Sequence, residues 1–91
     1  MGYKLLKFFS NSCVPCKRLT TEIQKLDLPE IDVENYDIWD DNTLEKQKEF
    51  NVKTVPTVIF FDDQEGILGS FSGFKSSEDI VTWMSDLVNK N

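Results

Sequence analysis

The stretch Phe8-Phe9-Ser10-Asn11-Ser12-Cys13-Val14-Pro15-Cys16-Lys17 decides the fold of this chain. It joins an apolar run, Leu5-Leu6-Lys7-Phe8-Phe9, to a segment whose apolar residues, Leu19, Ile23 and Leu26, have helical spacing. The sequence therefore predicts a strand, a tight turn and a helix. The two cysteines in this turn are the only ones in the chain. Two thiols separated by two residues at the start of a helix are placed to form and break one disulfide.

Size and composition indicate one small domain over residues 1–91. The net charge of −6 argues against nucleic acid and anionic membranes as partners. We find no signal-peptide pattern and no apolar run long enough to span a bilayer. We therefore expect a cytoplasmic monomer that binds neither nucleic acid nor membrane. In such a compartment, a lone pair of nearby cysteines is more often redox-active or metal-binding than structural.

Apolar periodicity and turn residues divide the chain into alternating strands and helices. The first helix should be capped by Cys13 and end near Asp27, because Pro29 prevents its continuation. Asp41 or Asn42 should cap a second helix, and Ser76 or Ser77 a third. The predicted strands are Tyr3–Phe9, 31–38, Thr57–Phe61 and Ile67–Ser72, and the second and third helices are 43–50 and a segment from 77 onward.

The order β-α-β-α-β-β-α defines an α/β fold. Its β-α-β start requires a parallel pair of strands with a right-handed crossover. A loop at residues 62–66 that contains Gly66 predicts a hairpin, which adds an antiparallel edge. A four-stranded mixed sheet with helices on both faces accounts for every apolar stripe.

The positions of the two cysteines predict different roles. Cys13, at the helix N-terminus, faces unpaired backbone N–H groups and the positive end of the helix dipole, which both favour its thiolate. Cys16 lies one turn further along and should be less exposed. We therefore expect Cys13 to attack a substrate disulfide, and Cys16 to attack Cys13 and release the reduced substrate. Pro15 should stiffen the turn, and Val14 should offer an apolar contact.

A metal site is the main competing interpretation of the cysteine pair. Zinc requires four ligands, and the chain has no histidine and no further cysteine. A zinc site would need carboxylates or a second copy of the chain, so we predict no metal and no cofactor. The sequence is also compatible with a metal carrier that uses both thiolates, and with a chemically inert cysteine pair.

The chain resembles the thioredoxin superfamily, nearest to small thioredoxins and glutaredoxin-like redoxins. The resemblance rests on the stretch 8–17, on Val55-Pro56-Thr57 and on Gly73, in that order. It covers the whole chain, without the extra N-terminal strand and helix of a full thioredoxin. It implies that the Val55–Pro56 bond is cis and faces Cys13, which leaves the backbone of Val55 free to pair with an extended substrate. It also implies that Gly73 lets the substrate backbone approach.

Three further positions are possible tuning residues. The resemblance implies a buried aspartate where this chain has Lys7, so a carboxylate proton relay is absent there. Lys7 could stabilise a thiolate, or it could extend into solvent along the sheet, which is the prediction made here. Trp39 could supply an aromatic wall near Cys13, although a packed loop residue is the favoured prediction. Lys17 matches a basic residue common after the motif, and an exposed lysine there is usually only solvated.

The function predicted is that of a thiol-disulfide oxidoreductase, a protein-disulfide reductase that donates electrons to client proteins in the cytoplasm. The resemblance implies thioredoxin reductase or glutathione as the upstream reductant and suggests ribonucleotide reductase as a client. Two competing functions are a glutaredoxin-like reductant of glutathione mixed disulfides and a non-catalytic binding module with a thioredoxin fold.

Overall fold

The fold is a four-stranded sheet with helices on both faces, as the sequence predicts. The computed structural model describes residues 2–26 and 30–90. The elements in chain order are β1 (Tyr3–Phe9), α1 (Val14–Gln24), β2 (Ile31–Asp37), a 3₁₀ turn (Asp41–Thr43), α2 (Leu44–Glu49), β3 (Thr57–Phe61), β4 (Ile67–Ser72) and α3 (Ser77–Asn89). No helix in these ranges is long and apolar enough to cross a membrane.

The strand order is β2-β1-β3-β4, which places β1 and β3 at the centre of the sheet. β1 pairs with β2 in parallel, with Phe8 opposite Tyr36, and with β3 in antiparallel, with Phe8 opposite Thr57. β3 and β4 form the predicted antiparallel hairpin. The carboxyl end of β1, from which the cysteine turn departs, therefore lies beside the start of β3.

Side chains of alternate residues on the central strands point to opposite faces of the sheet and contribute to two separate apolar cores. Leu5, Val58 and Phe60 face α1 and α3, where they pack with buried Leu19 and Ile80. On the opposite face, a second core is formed by Leu6, Phe8, Ile59 and Phe61, with Tyr36, Ile38, Phe50, Val52 and Val55 packed against it. Every residue of β3 is buried, as expected for a strand that is covered on both faces.

Several predicted boundaries differ from the structure. α1 ends at Gln24, because the Leu26 amide donates to the carbonyl of Ile23 and closes a tighter turn. Asp27 and Pro29, on which the predicted end depended, lie outside the described residues. β2 ends one residue earlier than predicted, at Asp37, although the amide of Ile38 still donates to Phe9 O at 2.9 Å.

The predicted cap of the second helix is wrong. Neither Asp41 nor Asn42 is a cap: Asp40 caps the 3₁₀ turn, since its Oδ1 accepts from the Asn42 amide at 2.9 Å, and the N-cap of α2 itself is Thr43, which makes no side-chain capping bond. A short aspartate side chain readily accepts from the amide two residues further on, and this bond starts a 3₁₀ turn before the α-helix begins. α2 is correspondingly shorter than predicted, Leu44–Glu49.

Candidate active site

The cysteine pair occupies the turn between β1 and α1. The amide of Cys13 donates to the carbonyl of Ser10 at 3.3 Å, which closes the turn. Cys13 has extended backbone angles and is the N-cap of α1: its Sγ accepts from the Cys16 amide at 3.1 Å. Pro15 lies in the first turn of the helix, where its missing N–H leaves no bond unmade. The two cysteines are joined in a disulfide, with their Cα atoms 5.2 Å apart.

Exposure distinguishes the two sulfur-bearing residues. Cys16 is 1% exposed, whereas Cys13 is only half-buried. Val14, between them, is 65% exposed and gives the turn an apolar outer surface, and Pro15 is exposed as well. A substrate sulfur that approaches from solvent therefore meets Cys13 first.

The Val55–Pro56 peptide bond is cis, as the resemblance implies. Pro56 is buried and lies directly before β3, whose first residue pairs with Phe8 near the cysteine turn. Thr57 fixes this segment, since its hydroxyl donates to the carbonyl of Thr54 at 2.7 Å. Among the described residues, the amide and carbonyl of Val55 make no hydrogen bond. The backbone of Val55 is therefore available to an extended peptide, which β-strand addition requires.

Gly73 ends β4 beside the same segment. Its φ is +87°, in the region that glycine adopts without a steric penalty. An added Cβ would meet no atom within 4 Å, so the space above this residue is open. Phe74 follows, 43% exposed, with the Arg18 guanidinium 5.0 Å from its ring centre. Neither Phe74 nor Arg18 was singled out from the sequence, because only the packing of α1 near the end of β4 brings them together.

The prediction that Lys7 extends into solvent is wrong. Lys7 is 4% exposed, its Nζ donates to Thr20 Oγ1, and Nζ lies 5.6 Å from the centre of the Phe9 ring. The physical reason is its position on an inner strand of the sheet, with its side chain on the face that α1 covers. Burial lowers the pKa of the Lys7 ammonium from its ordinary value of 10.5.

The favoured prediction for Trp39, a packed loop residue, is also wrong. Its side chain is 76% exposed. Its amide donates to Asp37 Oδ1 at 3.0 Å. The preceding residue, Ile38, donates its amide hydrogen to the carbonyl of Phe9 at the end of β1. Trp39 thus stands at the same end of the sheet as the cysteine turn, and its role as an aromatic wall stays a prediction.

A cavity of about 240 Å³ opens beside Cys16. Lys17, which is exposed as predicted, lies on its wall. The remaining lining residues are Phe9, Ser10, Asn11, Cys16 and Thr20. Thr20 was missed in the sequence, although its position one helical turn after Cys16 is the pattern that could have indicated it. No cluster of three or more potential metal ligands occurs within residues 2–26 and 30–90.

Comparison with known proteins agrees with this site. Residues 2–86 match the family model for Thioredoxin. A thioredoxin from Chlamydia trachomatis is 30% identical over 92% of this chain and 81% of its own length, and one from Chlamydia muridarum is 33% identical over the same shares.

Solved structures with the same fold include a malaria-parasite thioredoxin-2 and a further malarial protein. The first has a TM-score of 0.81 at 26% identity, over 93% of this chain and 82% of that one. The second has a TM-score of 0.81 at 27% identity, over 99% and 97%. With the Cys13–Cys16 disulfide, these similarities show that the chain belongs to the thioredoxin family of thiol-disulfide oxidoreductases.

Proposed function

We propose that this protein is a cytoplasmic dithiol electron donor in which Cys13 attacks client disulfides and Cys16 resolves the mixed disulfide. The observation that carries the proposal is the asymmetry of the pair: a half-buried Cys13 at the N-cap of α1 and a Cys16 that is 1% exposed. The N–H groups of the first helical turn stabilise a thiolate at Cys13 and not at a residue inside the helix.

The reaction proceeds in two exchanges. The Cys13 thiolate attacks one sulfur of the client disulfide, the client S–S bond breaks, and the leaving client thiolate takes up a proton. Cys16 then loses its proton and attacks Cys13 Sγ, which breaks the mixed disulfide and releases the second client thiolate. Two electrons pass to the client, its two thiolates take up one proton that Cys16 releases and one from the solvent, and the protein is left with the Cys13–Cys16 disulfide.

Client binding in this proposal uses the backbone of Val55 and the open space at Gly73. An extended client segment would pair with the free amide and carbonyl of Val55. The exposed side chain of Val14 and the neighbouring Pro15 would contact residues beside the client cysteine. Lys17 and Trp39, both exposed near this end of the sheet, would modulate the choice of client.

Members of this family act on disulfide-containing substrates and are regenerated by a reductase. We propose a flavin-dependent thioredoxin reductase in that position, with glutathione as the alternative, and ribonucleotide reductase as one client. No cofactor enters the exchange, because the two sulfurs carry both electrons.

Turnover of a disulfide-linked peptide pair that fluoresces on reduction tests the cysteine roles, with dithiothreitol as the electron source. Cys13→Ser should abolish turnover. Cys16→Ser, reduced beforehand and freed of dithiothreitol, should stop after one exchange and accumulate one equivalent of mixed disulfide, visible by intact mass. Absence of turnover by the native pair would favour a non-catalytic binding module. Trapping through Cys16 in Cys13→Ser would reverse the assignment.

The reduction potential, measured by equilibration with glutathione, tests the direction of electron flow. A value of about −270 mV is that of a thioredoxin-like reductant, whereas about −120 mV is that of an oxidant. Parallel assays with thioredoxin reductase and with glutathione plus glutathione reductase identify the electron source.

A further inference from the structure

Lys7 is a buried cation with no counter-ion among the described residues. Its ammonium has three donors, and Thr20 Oγ1 is the one acceptor that the structure gives it within the described part of the chain. The residues that pair with Lys7 across the sheet, Asn35 and Val58, carry no charge. The exposed Lys17, on the wall of the nearby cavity, is of the same sign. Because burying an unpaired charge is costly, a lysine here calls for a functional explanation.

One side chain links Lys7 to the buried cysteine. The Thr20 hydroxyl donates to the carbonyl of Cys16 at 3.0 Å, so its lone pair is free to accept from Lys7 Nζ. Residues four apart on a helix lie on the same face, with Cβ atoms roughly 5–6 Å apart. The Lys7 ammonium therefore binds a residue that lies one helical turn from Cys16, and Thr20 and Cys16 line the same cavity together with Phe9, over whose ring the ammonium lies.

The two cysteines differ in their need for such a cation. Cys13 accepts the Cys16 N–H and lies at the helix N-terminus, which already favours its thiolate. Cys16 is 1% exposed, and burial in apolar surroundings disfavours a thiolate. Cys16 must nevertheless lose its proton before it can attack the mixed disulfide.

We propose that Lys7 is a positioning residue for the resolving step: anchored by Thr20, its ammonium stabilises the Cys16 thiolate as that thiolate forms. The Cys16 proton leaves to water through the adjoining cavity, the thiolate attacks Cys13 Sγ, and the client thiolate departs and is protonated. Lys7 keeps its proton throughout. The lowered pKa of Lys7 reflects the same buried setting, in which a cation acts on its neighbours with little screening.

This inference rests on the cysteine roles proposed above, and one experiment separates the two. The reduced protein is mixed with one equivalent of 5,5′-dithiobis(2-nitrobenzoate), which releases one thionitrobenzoate when Cys13 attacks and a second when Cys16 resolves the adduct. Stopped-flow absorbance resolves the two phases between pH 5 and 10. Lys7→Met retains the length and shape of the side chain and removes its charge.

We expect Lys7→Met to slow the second phase roughly tenfold at neutral pH, to move its pH midpoint upward, and to change the first phase less than about twofold. Lys4→Met, which removes a more exposed charge from the same strand, should change neither phase. A second phase that is unchanged in Lys7→Met, or an equal slowing of both phases, would overturn the proposal.

Thr20→Val keeps the shape of the side chain while removing the hydroxyl, and it provides a second test that does not depend on how Lys7→Met folds. It should slow the second phase alone, by less than Lys7→Met does, because Lys7 loses its anchor. No effect on that phase would overturn the anchoring role of Thr20. Release of only one thionitrobenzoate per molecule of native protein would contradict the cysteine roles, and with them the resolving step that Lys7 is proposed to assist.

Discussion

The amide of Gly73 donates a hydrogen bond of 2.9 Å to the carbonyl oxygen of Pro56. This bond joins the end of β4 to the cis turn that precedes β3, across an antiparallel pair that begins with Thr57 opposite Ser72. The bond thus joins Gly73 to the segment at Val55 and Pro56, the two places that the proposed function assigns to client binding. The φ of Gly73 in this arrangement is +87°.

Gly73→Ala should destabilise the fold by about 1–2 kcal/mol, because a Cβ makes this backbone region unfavourable. The cause would be backbone conformation and not collision, since no atom lies within 4 Å of the added Cβ. Urea denaturation measures the free energy of unfolding. Client turnover should show a raised KM with kcat nearly unchanged, because the added methyl group occupies the open space above the residue.

Gly73→Asn is the matched comparison, because asparagine tolerates positive φ better than alanine does. It should recover part of the stability that alanine loses, while its larger side chain raises KM further. If the alanine variant and the native protein had the same free energy of unfolding, a Cβ at residue 73 would cause no measurable backbone strain.

The fold could be predicted from sequence because its signals are local or periodic. The β-branched and aromatic residues of β3, the apolar spacing of α3 and the cysteine turn each indicate their element without knowledge of the others. Capping was less predictable, since Asp40, Asp41 and Asn42 are all good caps and only the backbone angles distinguish them.

The candidate site was only partly predictable for a different reason. Cys13, Cys16 and Pro56 lie in recognisable motifs, but the environment of Lys7 depends on how α1 packs over β1. Its hydrogen-bond partner Thr20 lies thirteen residues further along the chain, on a different element. A lysine in an apolar strand suggests either that the strand lies at the edge of the sheet or that the lysine side chain extends into solvent. Only the observed packing excludes both interpretations for Lys7.

Ser76 caps α3 through a hydrogen bond that its Oγ accepts from the Asp79 amide at 3.2 Å. Ser76→Ala should therefore cost about 1 kcal/mol of stability. Ser77→Ala is the comparison: Ser77 donates its backbone amide to Glu22 Oε1 at 2.8 Å, which alanine retains, and only its weaker side-chain contact with Glu22 is lost, so this variant should lose less stability. Comparable losses for the two variants in urea denaturation would contradict the assignment of Ser76 as the cap.

Gly69, on β4, lies directly beneath Leu87 of α3. A Cβ at this position would lie 2.7 Å from Leu87 Cδ1, so the leucine side chain would have to move. Gly69→Ala should cost about 1–3 kcal/mol through overpacking. In a double-mutant cycle with Leu87→Ala, which removes the colliding methyl groups, the combined loss should be at least about 0.5 kcal/mol smaller than the sum. Strict additivity would show that the helix, and not this side chain, limits the space.

Lys7→Met should stabilise the protein at neutral pH by about 1 kcal/mol or more. The native lysine is a buried charge that has no counter-ion among the described residues, and methionine is an apolar side chain of similar length. Burial lowers the folded-state pKa of Lys7 below 10.5, so between the folded-state pKa and 10.5 the unfolded chain binds more protons than the native one. Native stability relative to the variant therefore rises with pH through that window, and the full penalty is present below it. Urea denaturation of both proteins from pH 7 to 10.5 should show an advantage of methionine that is constant below the folded-state pKa of Lys7 and shrinks above it, whereas a difference that stays constant up to pH 10.5 would indicate that Lys7 titrates alike in both states. If methionine does stabilise the protein at neutral pH, the native protein retains, at a cost in stability, the cation that we propose for the resolving step.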